Sequence, residues 1–386
     1  MRRTLRTTRG FTLLELMVSM SVGLILLGTA LQLYVQATKA TFVTSQKSEM
    51  QQDFRAAANL LQRDISMAGA GALGQQGLAS NSVGLPTGAG STVPVYPCSP
   101  ATCNYVNGAP VAFPTSLGAP YLYSIIPGYD LGIQLNATEG PSDIITVAYA
   151  DANLSLNCYS VDVVNATTVI FQLPLTASLS ATCILQNGVA TVPALNAAGT
   201  GLQAGDLIIF GQTASGIVSD IATTGVTDGT KYSAAYLVHF NVGDPGHINQ
   251  PTITNGTTKQ LPIGIGTLSA VRLLMITYYL DISPVDGVTP RLMRIQSGRL
   301  PAPVAENVTS LKFSYDVDNN GTITTNQTSL PAGVTPNMIT KVNILHMAIR
   351  NQLKGIAGYQ GIDLQTSISA RNLTMGQEYP IAGSAY

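Results

Sequence analysis

Hydrophobic and polar positions divide the chain into three regimes. From Phe11 to Leu33 the residues are apolar almost without interruption, and the only charge is Glu15. From about Gln36 to Ala68 polar residues dominate, but Phe54, Ala58, Leu61, Ile65 and Ala68 recur at helical spacing and form one apolar stripe. Glu49, Asp53, Arg55, Arg63 and Asp64 fall mostly off that stripe. No proline occurs from Phe11 to Ala68, and no glycine between Gly28 and Gly69, so the two regimes read as one helix ending near Met67. At 1.5 Å per residue it would be roughly 85 Å long. Its first half is apolar nearly all round and long enough, at about 20 residues, to cross a hydrocarbon core. Its second half is amphipathic, as a helix carrying a globular head requires.

The third regime begins at Gly69. Gly69, Gly71 and Gly74 stop the helix. They also match G-x-G-x-x-G, but that motif binds nucleotides only between a strand and a helix, and here a helix precedes it. Residues 75–120 are rich in Gly, Pro, Ser and Thr and read as irregular chain. From about Tyr121 short apolar runs alternate with turn residues. Strands are expected at Ile144–Tyr149, Thr168–Leu173, Asp206–Phe210, Ala235–Val242, Ala270–Ile282, Arg291–Gln296, Ser310–Asp316, Ile339–Arg350 and Asp363–Asn372. Period-two alternation is clear in Val271, Leu273, Met275 and in Leu311, Phe313, Tyr315. No strand–helix alternation suggests a doubly wound sheet. The expected class is α+β, a long N-terminal helix carrying a large, mainly antiparallel β head. The expected divisions are a basic leader at 1–10, a helix at 11–68 with its transmembrane part to about 33, a connecting region at 69–120, and a head at 121–386 with an insert at 154–264.

Charge sharpens the reading of the N-terminus. The leader MRRTLRTTRG holds four arginines and no acid, which places it on the cytoplasmic side of a membrane. A secretory signal peptide would carry a small-residue cleavage site after its apolar region. Here the small residue, Gly10, precedes the run, so a cut at Gly10 keeps the apolar helix in the mature chain. Glu15 then needs an explanation, because a carboxylate costs roughly 2.5–3.5 kcal/mol at a membrane helix centre and less near its end. Either it snorkels to the headgroups or it pairs with a cation, such as the amine that cleavage would expose on Phe11 or that of a neighbouring helix. Charged residues make up only 10% of the chain, against about 25% in ordinary soluble proteins. Without the four leader arginines, 15 Lys and Arg face 20 Asp and Glu, net −5. Such a chain has little electrostatic pull on nucleic acid.

Arg9-Gly10-Phe11-Thr12-Leu13-Leu14-Glu15 resembles the class III signal of type IV pilins and type II secretion pseudopilins. The resemblance implies cleavage between Gly10 and Phe11 by a membrane aspartyl prepilin peptidase, methylation of the new Phe11 amine, and a role for Glu15 in assembly. Leu61-Gln62-Arg63-Asp64-Ile65, Ser142 to Val147, Tyr278-Tyr279-Leu280, Leu292-Met293-Arg294, Val308 to Asp316 and Ser367 to Asn372 resemble, in this order, segments of PilW-like minor pilins. That likeness implies a structural minor pilin taking part in type IV pilus assembly or initiation. Its partners would be other minor and major pilins, the prepilin peptidase and the inner-membrane assembly machinery. Before assembly it would sit in the bacterial inner membrane with its head in the periplasm, and afterwards in the fibre or at its tip. A pseudopilin resembling the J-type subunit of type II secretion is the alternative. A tip adhesin using the stretch 154–264, which matches none of these segments, is a further one. Enzymatic function ranks last: no G-x-S-x-G occurs, and His239, His247 and His346 lack metal-ligand spacing.

Four cysteines, Cys98, Cys103, Cys158 and Cys183, form no C-x-x-C and have no nearby histidine partners, so in an exported chain they read as two disulfides. Of three pairings, Cys98–Cys103 with Cys158–Cys183 closes the shortest loops and is favoured. DVDNNGTITTNQ, Asp316 to Gln327, carries two readings. Asp316, Asp318 and Asn320 followed by Gly321 repeat the first half of an EF-hand-type calcium loop, but Gln327 stands where a bidentate glutamate is expected. Asn320-Gly321 between alternating runs is equally a hairpin turn, and this plainer reading is preferred. No cofactor is otherwise expected.

Overall fold

The computed structural model describes residues 12–71, 82–84, 121–135, 140–151, 153–154, 156–165, 167–175, 183, 192, 194–210, 214–241, 269–283, 285–296, 301–319, 321–350 and 361–370. Gly10, Phe11, Cys98, Cys103 and Asn320 lie outside these residues. Contacts divide the chain into two units, residues 1–52 with 351–360, and residues 53–350 with 361–386.

A single helix, α1, runs Leu13–Met67. In the first unit its large apolar side chains are exposed from Leu13 at 79% through Leu24 and Leu27 to Tyr34 and Phe42, while Met50, near the end of that stretch, is buried. In the second unit one face of its last turns is buried by Phe54, Ala57, Leu61, Asp64, Ile65 and Ala68. Two details correct the sequence reading. Ala57 rather than Ala58 completes the stripe, and Asp64, expected off it, is fully buried. Positions 61, 64, 65 and 68 follow the i, i+3, i+4, i+7 spacing and share a face, so a polar residue there is buried whenever donors meet it. Gly69 and Gly71 have φ of +76° and +70° and turn the chain off the helix. The Gly69 N–H then donates to the Ala148 carbonyl at 2.9 Å, and the Ala150 N–H to the Ala70 carbonyl at 2.8 Å. A Cβ on Gly71 would lie 2.7 Å from that of Ala150, so this close approach needs glycine.

The class is α+β: beside α1 the second unit is antiparallel sheet. In chain order the strands are β1 (Ser82–Gly84), β2 (Tyr121–Tyr123), β3 (Ile125–Gly128), β4 (Ile144–Ala150), β5 (Ser160–Asn165), β6 (Thr168–Pro174), β7 (Leu207–Phe210), β8 (Ala214–Ile217) and β9 (Asp220–Thr224). They continue with β10 (Tyr232–His239), β11 (Ala270–Ile282), β12 (Pro290–Gln296), β13 (Ala302–Glu306), β14 (Val308–Asn319), β15 (Thr322–Gln327), β16 (Ile339–Arg350) and β17 (Gly361–Ser369). A seven-stranded sheet has the order β13-β12-β11-β4-β3, with β7 also on β11 and β8 on β7. Its organiser is the 13-residue β11, where Leu273 lies opposite Ala150 of β4 and Leu207 of β7. Two four-stranded sheets, β5-β6-β10-β9 and β15-β14-β16-β17, complete the unit beside the small β1-β2 pair.

The stretch expected as an insert, 154–264, is divided between two sheets. It supplies all of β5-β6-β10-β9, but its β7 and β8 belong to the seven-stranded sheet. One core joins the two: Phe171, Tyr236, Phe210 and Phe240 pack with Tyr159 and both described cysteines. Phe210 and Phe240 meet edge to face at 5.5 Å. The strands absent from the sequence reading are short (β1, β2, β3, β5, β8, β9) or proline-bearing (β3, β13), and β1 falls within 75–120, which was expected to be irregular; β15 is the second arm of the expected Asn320-Gly321 hairpin. Shortness and proline each weaken the signal of an apolar alternating run.

Candidate functional site

The site has two parts on one helix, the uncovered apolar surface of its beginning and the polar seat of its end. Thr12 caps the beginning. Its Oγ1 accepts from the Glu15 N–H at 3.3 Å, and its carbonyl accepts from the Leu16 N–H at 3.2 Å. Thr12-Leu13-Leu14-Glu15 has the T-x-x-E spacing of a capping box, a signal absent from the sequence reading. Glu15 thus stands in the first turn of α1, where the helix dipole favours a carboxylate. Beyond it the hydroxyls of Ser19, Ser21 and Thr29 donate to carbonyls three residues back. These hydroxyls therefore present little unsatisfied polarity, which suits an apolar surrounding. The helix is long and apolar enough to cross a membrane, and the apolar window that qualifies it has none of its residues buried within the chain.

At the other end Asp64 seats α1 on the seven-stranded sheet. Its Oδ2 accepts from the Tyr278 hydroxyl at 2.7 Å and from Arg294 Nε at 2.8 Å, while its Oδ1 accepts from the Tyr149 hydroxyl at 3.1 Å. These donors come from the adjacent strands β4, β11 and β12, where Tyr278 and Arg294 face each other in register. Burial and then the Asp64 charge push the Tyr149 phenol up to about 12, and the same causes raise Tyr278 further. Both phenols therefore stay protonated donors at neutral pH. Burial works against the Arg294 guanidinium, but Asp64 outweighs it and the pKa rises. The result is a buried ion pair with further hydrogen bonds on its carboxylate, the arrangement in which a buried charge is tolerated.

Two similar clusters lie in the sheets, the first joining the seven-stranded sheet to β14 and the second bracing strands within the seven-stranded sheet. Asp143, just before β4, accepts from the Asp130 N–H at 2.9 Å and the Phe313 N–H at 2.7 Å, and Lys312 Nζ lies 3.5 Å away. Lys312 also donates to Asp130 at 2.5 Å and to the Pro141 carbonyl. Burial raises the Asp143 pKa despite these donors. In the other cluster Arg272 of β11 reaches Asp151 at the end of β4, the Gly201 carbonyl at 2.8 Å and Asp206 at 3.1 Å. Asp64, Asp143, Tyr278, Arg294 and Lys312 all lie in the short segments whose order carried the resemblance. What the sequence could not give is that the segments converge, with Asp64 meeting Tyr278 and Arg294 and Asp143 meeting Lys312.

The remaining expected residues fall as follows. Cys158 and Cys183 form a disulfide with a Cα–Cα distance of 5.6 Å. Asp316 and Asp318 stand on β14 of the β14–β15 hairpin. The Asp316 carboxylate accepts from the Asn326 N–H at 3.0 Å and Asn343 Nδ2 at 2.8 Å, and that of Asp318 from the Gly321 N–H at 2.7 Å. Two of these bonds close the hairpin, and the one from Asn343 comes from the neighbouring β16. Among the described residues no group of three or more His, Cys, Asp or Glu side chains is placed to hold a metal.

Comparison with known proteins locates one match. Residues 5–31 match the prokaryotic N-terminal methylation motif. No curated protein and no solved structure matches the chain. The chain thus carries a type IV pilin-like N-terminal signal, followed by a long apolar helix and a large antiparallel β unit.

Proposed function

We propose that the protein is a structural minor pilin taking part in type IV pilus assembly or initiation. The observation that carries this reading is the helix surface from Leu13 to Val35, apolar, exposed and marked by one carboxylate, most of which lies within residues 5–31 that match the methylation motif. An apolar surface of that size is stable only in lipid or against other helices. In this reading prepilin peptidase removes residues 1–10 and Phe11 is methylated. The helix then moves from the inner membrane into a fibre, where it packs against the helices of other minor and major pilins. Residues 69–120 connect it to a periplasmic head at 121–386. Glu15 pairs with a Phe11 amine, its own or a neighbour's, and fixes helix register, since a buried polar pair is a known device for alignment.

Glu15→Val tests the reading. The substitution removes an insertion cost and leaves Gly10 and the leader intact, so the variant is cleaved and membrane-bound like the wild type. It is strongly depleted from sheared fibres on immunoblot. Equal incorporation of variant and wild type would overturn the assembly role of Glu15. Recovery of the wild type with secretion-channel components rather than pili would select the pseudopilin.

A further inference from the structure

Lys312 of β14 is enclosed by the chain between β3 and β4. Its side chain is 16% exposed, and Nζ lies 5.5 Å from the centre of the Tyr129 ring. Nζ is 2.5 Å from Asp130 Oδ1, in contact with the Pro141 carbonyl, and 3.5 Å from Asp143 Oδ1. Backbone hydrogen bonds hold these partners from both sides. Asp130 takes a φ of +52°, a region that L residues rarely enter, and its N–H donates to Asp143 Oδ1 at 2.9 Å. The Gly132 N–H donates to the Ser142 carbonyl at 2.7 Å, and the Ser142 N–H to the Ile133 carbonyl at 2.9 Å. Asp143, whose side chain is 2% exposed, is bound to β14 itself. Its N–H donates to the Leu311 carbonyl at 2.9 Å, and its Oδ2 accepts from the Phe313 N–H at 2.7 Å. One amine and two carboxyl groups thus meet where little water reaches them, in positions that the backbone sets.

The geometry points to a covalent crosslink: Lys312 Nζ condenses with the Asp130 carboxyl group to form an amide, and Asp143 carries the proton. The step balances without an oxidant, a nucleotide or any other co-reactant. A proton passes from the ammonium to the Asp130 carboxylate, leaving an amine beside a carboxylic acid. The Nζ lone pair forms the N–C bond at Cγ. Asp143 takes a proton from Nζ and returns one to the departing hydroxyl. The Cγ–O bond breaks and one water leaves, so an ammonium and a carboxylate become an amide and water. Contact between Nζ and the carboxyl group supplies proximity, which in well-oriented pairs reaches effective molarities of about 10⁵ M or more. Scarcity of water lowers the cost of losing the two charges. Burial raises the Asp143 pKa against two backbone donors and Lys312, which suits this carboxyl to hold a proton in transit. Burial works against the Lys312 ammonium, but Asp130 and Asp143 outweigh it and its pKa rises, so release of the amine is the demanding step. The bond joins residues 182 apart and ties the loop after β3 to β14 of another sheet. It does not depend on the proposed pilin function.

The test is the intact mass of the full-length chain, purified in detergent and then unfolded, together with peptide mapping by tandem mass spectrometry. The expected result is a chain lighter by one water than its sequence, disulfides and N-terminal processing require. The missing water maps to a branched peptide that joins Lys312 to Asp130. Lys312→Arg and Asp130→Ala each restore the full mass; arginine keeps the charge at 312 but offers no nucleophilic amine. Asp143→Asn keeps both reacting groups and an acceptor for the backbone donors, and its crosslink forms on the order of a hundredfold more slowly. A wild-type chain of full mass, with Lys312 open to acetylation after unfolding, overturns the proposal and leaves an ion pair. A lost water that persists in Lys312→Arg overturns it as well, since that water comes from elsewhere in the chain. A crosslink that forms as fast in Asp143→Asn as in the wild type overturns the proton-carrying role of Asp143.

Discussion

The two ends of α1 obey the same helical geometry but are stabilised in opposite ways. From Leu13 to Val35 apolar side chains face outward on every side, and hydroxyls turn back onto the helix. From Phe54 to Ala68 one face is buried, and its centre is a carboxylate held by two phenols and a guanidinium. The first stretch needs a surrounding supplied from outside the chain. The second is satisfied by the chain itself. A helix can therefore look most like a core element where it has no core, and carry its best-fixed charge where the sequence pattern expects an exposed one.

Breaking the first stretch should give the largest effect, because processing is all or none. In the proposed reading, Gly10→Val puts a branched side chain next to the bond that the peptidase would cut. It should leave an uncut precursor, heavier by residues 1–10, in the inner membrane, as measured by intact mass. The seat of Asp64 is unaffected by that change and should fold as before.

Breaking the second stretch is the next largest. Asp64→Ala leaves Arg294 charged and without its buried carboxylate, and deprives two buried phenols of their acceptor. The expected loss is roughly 3–5 kcal/mol, read by denaturant unfolding of the detergent-solubilised full chain with circular dichroism, since the protein has no tryptophan. Asp64→Asn keeps an acceptor and should lose about 1–3 kcal/mol. Neither variant should alter cleavage at Gly10, which would separate the two stretches cleanly.

Reduction of Cys158–Cys183, or replacement of both by serine, acts away from the helix. The cysteines are 25 residues apart, and opening such a loop costs about 3 kcal/mol. That loss should appear in the same unfolding experiment as destabilisation around the Phe171, Phe210 and Tyr236 core. The smallest expected effect is on alkaline stability. Tyr149 titrates at about 12 in the fold against 10.0 for a free phenol. A folded pKa raised in this way gives stability that is full below pH 10 and lost as pH rises toward 12. Tyr149→Phe should flatten the fall of stability over that window.

Much of the fold was legible because it depends on local pattern. Ala270–Ile282 and Ile339–Arg350 were read at their observed bounds, the first as a long, mostly apolar run and the second as apolar residues interspersed with polar ones. The helix end near Met67 followed from Gly69, whose positive φ is a local requirement. Strands such as Ala302–Glu306 were not legible. Pro303 and a run of only five residues leave no periodic signal, and register on β12 supplies what the sequence does not. The candidate site divides in the same way. Glu15 was visible because a charge in an apolar run is a local anomaly. Asp64 was misplaced because its donors, Tyr149, Tyr278 and Arg294, are 85 to 230 residues away. No window along the chain contains them together.

The central claim is that the mature chain begins at Phe11, just before α1, and that the exposed apolar stretch of α1 is what a fibre covers. The intact mass of the protein recovered from sheared, washed fibres tests both halves at once. The account predicts residues 11–386 with one added methyl group on Phe11, present in the fibre fraction. A chain beginning at any other residue, or a processed chain confined to the membrane while fibres form without it, would contradict the account.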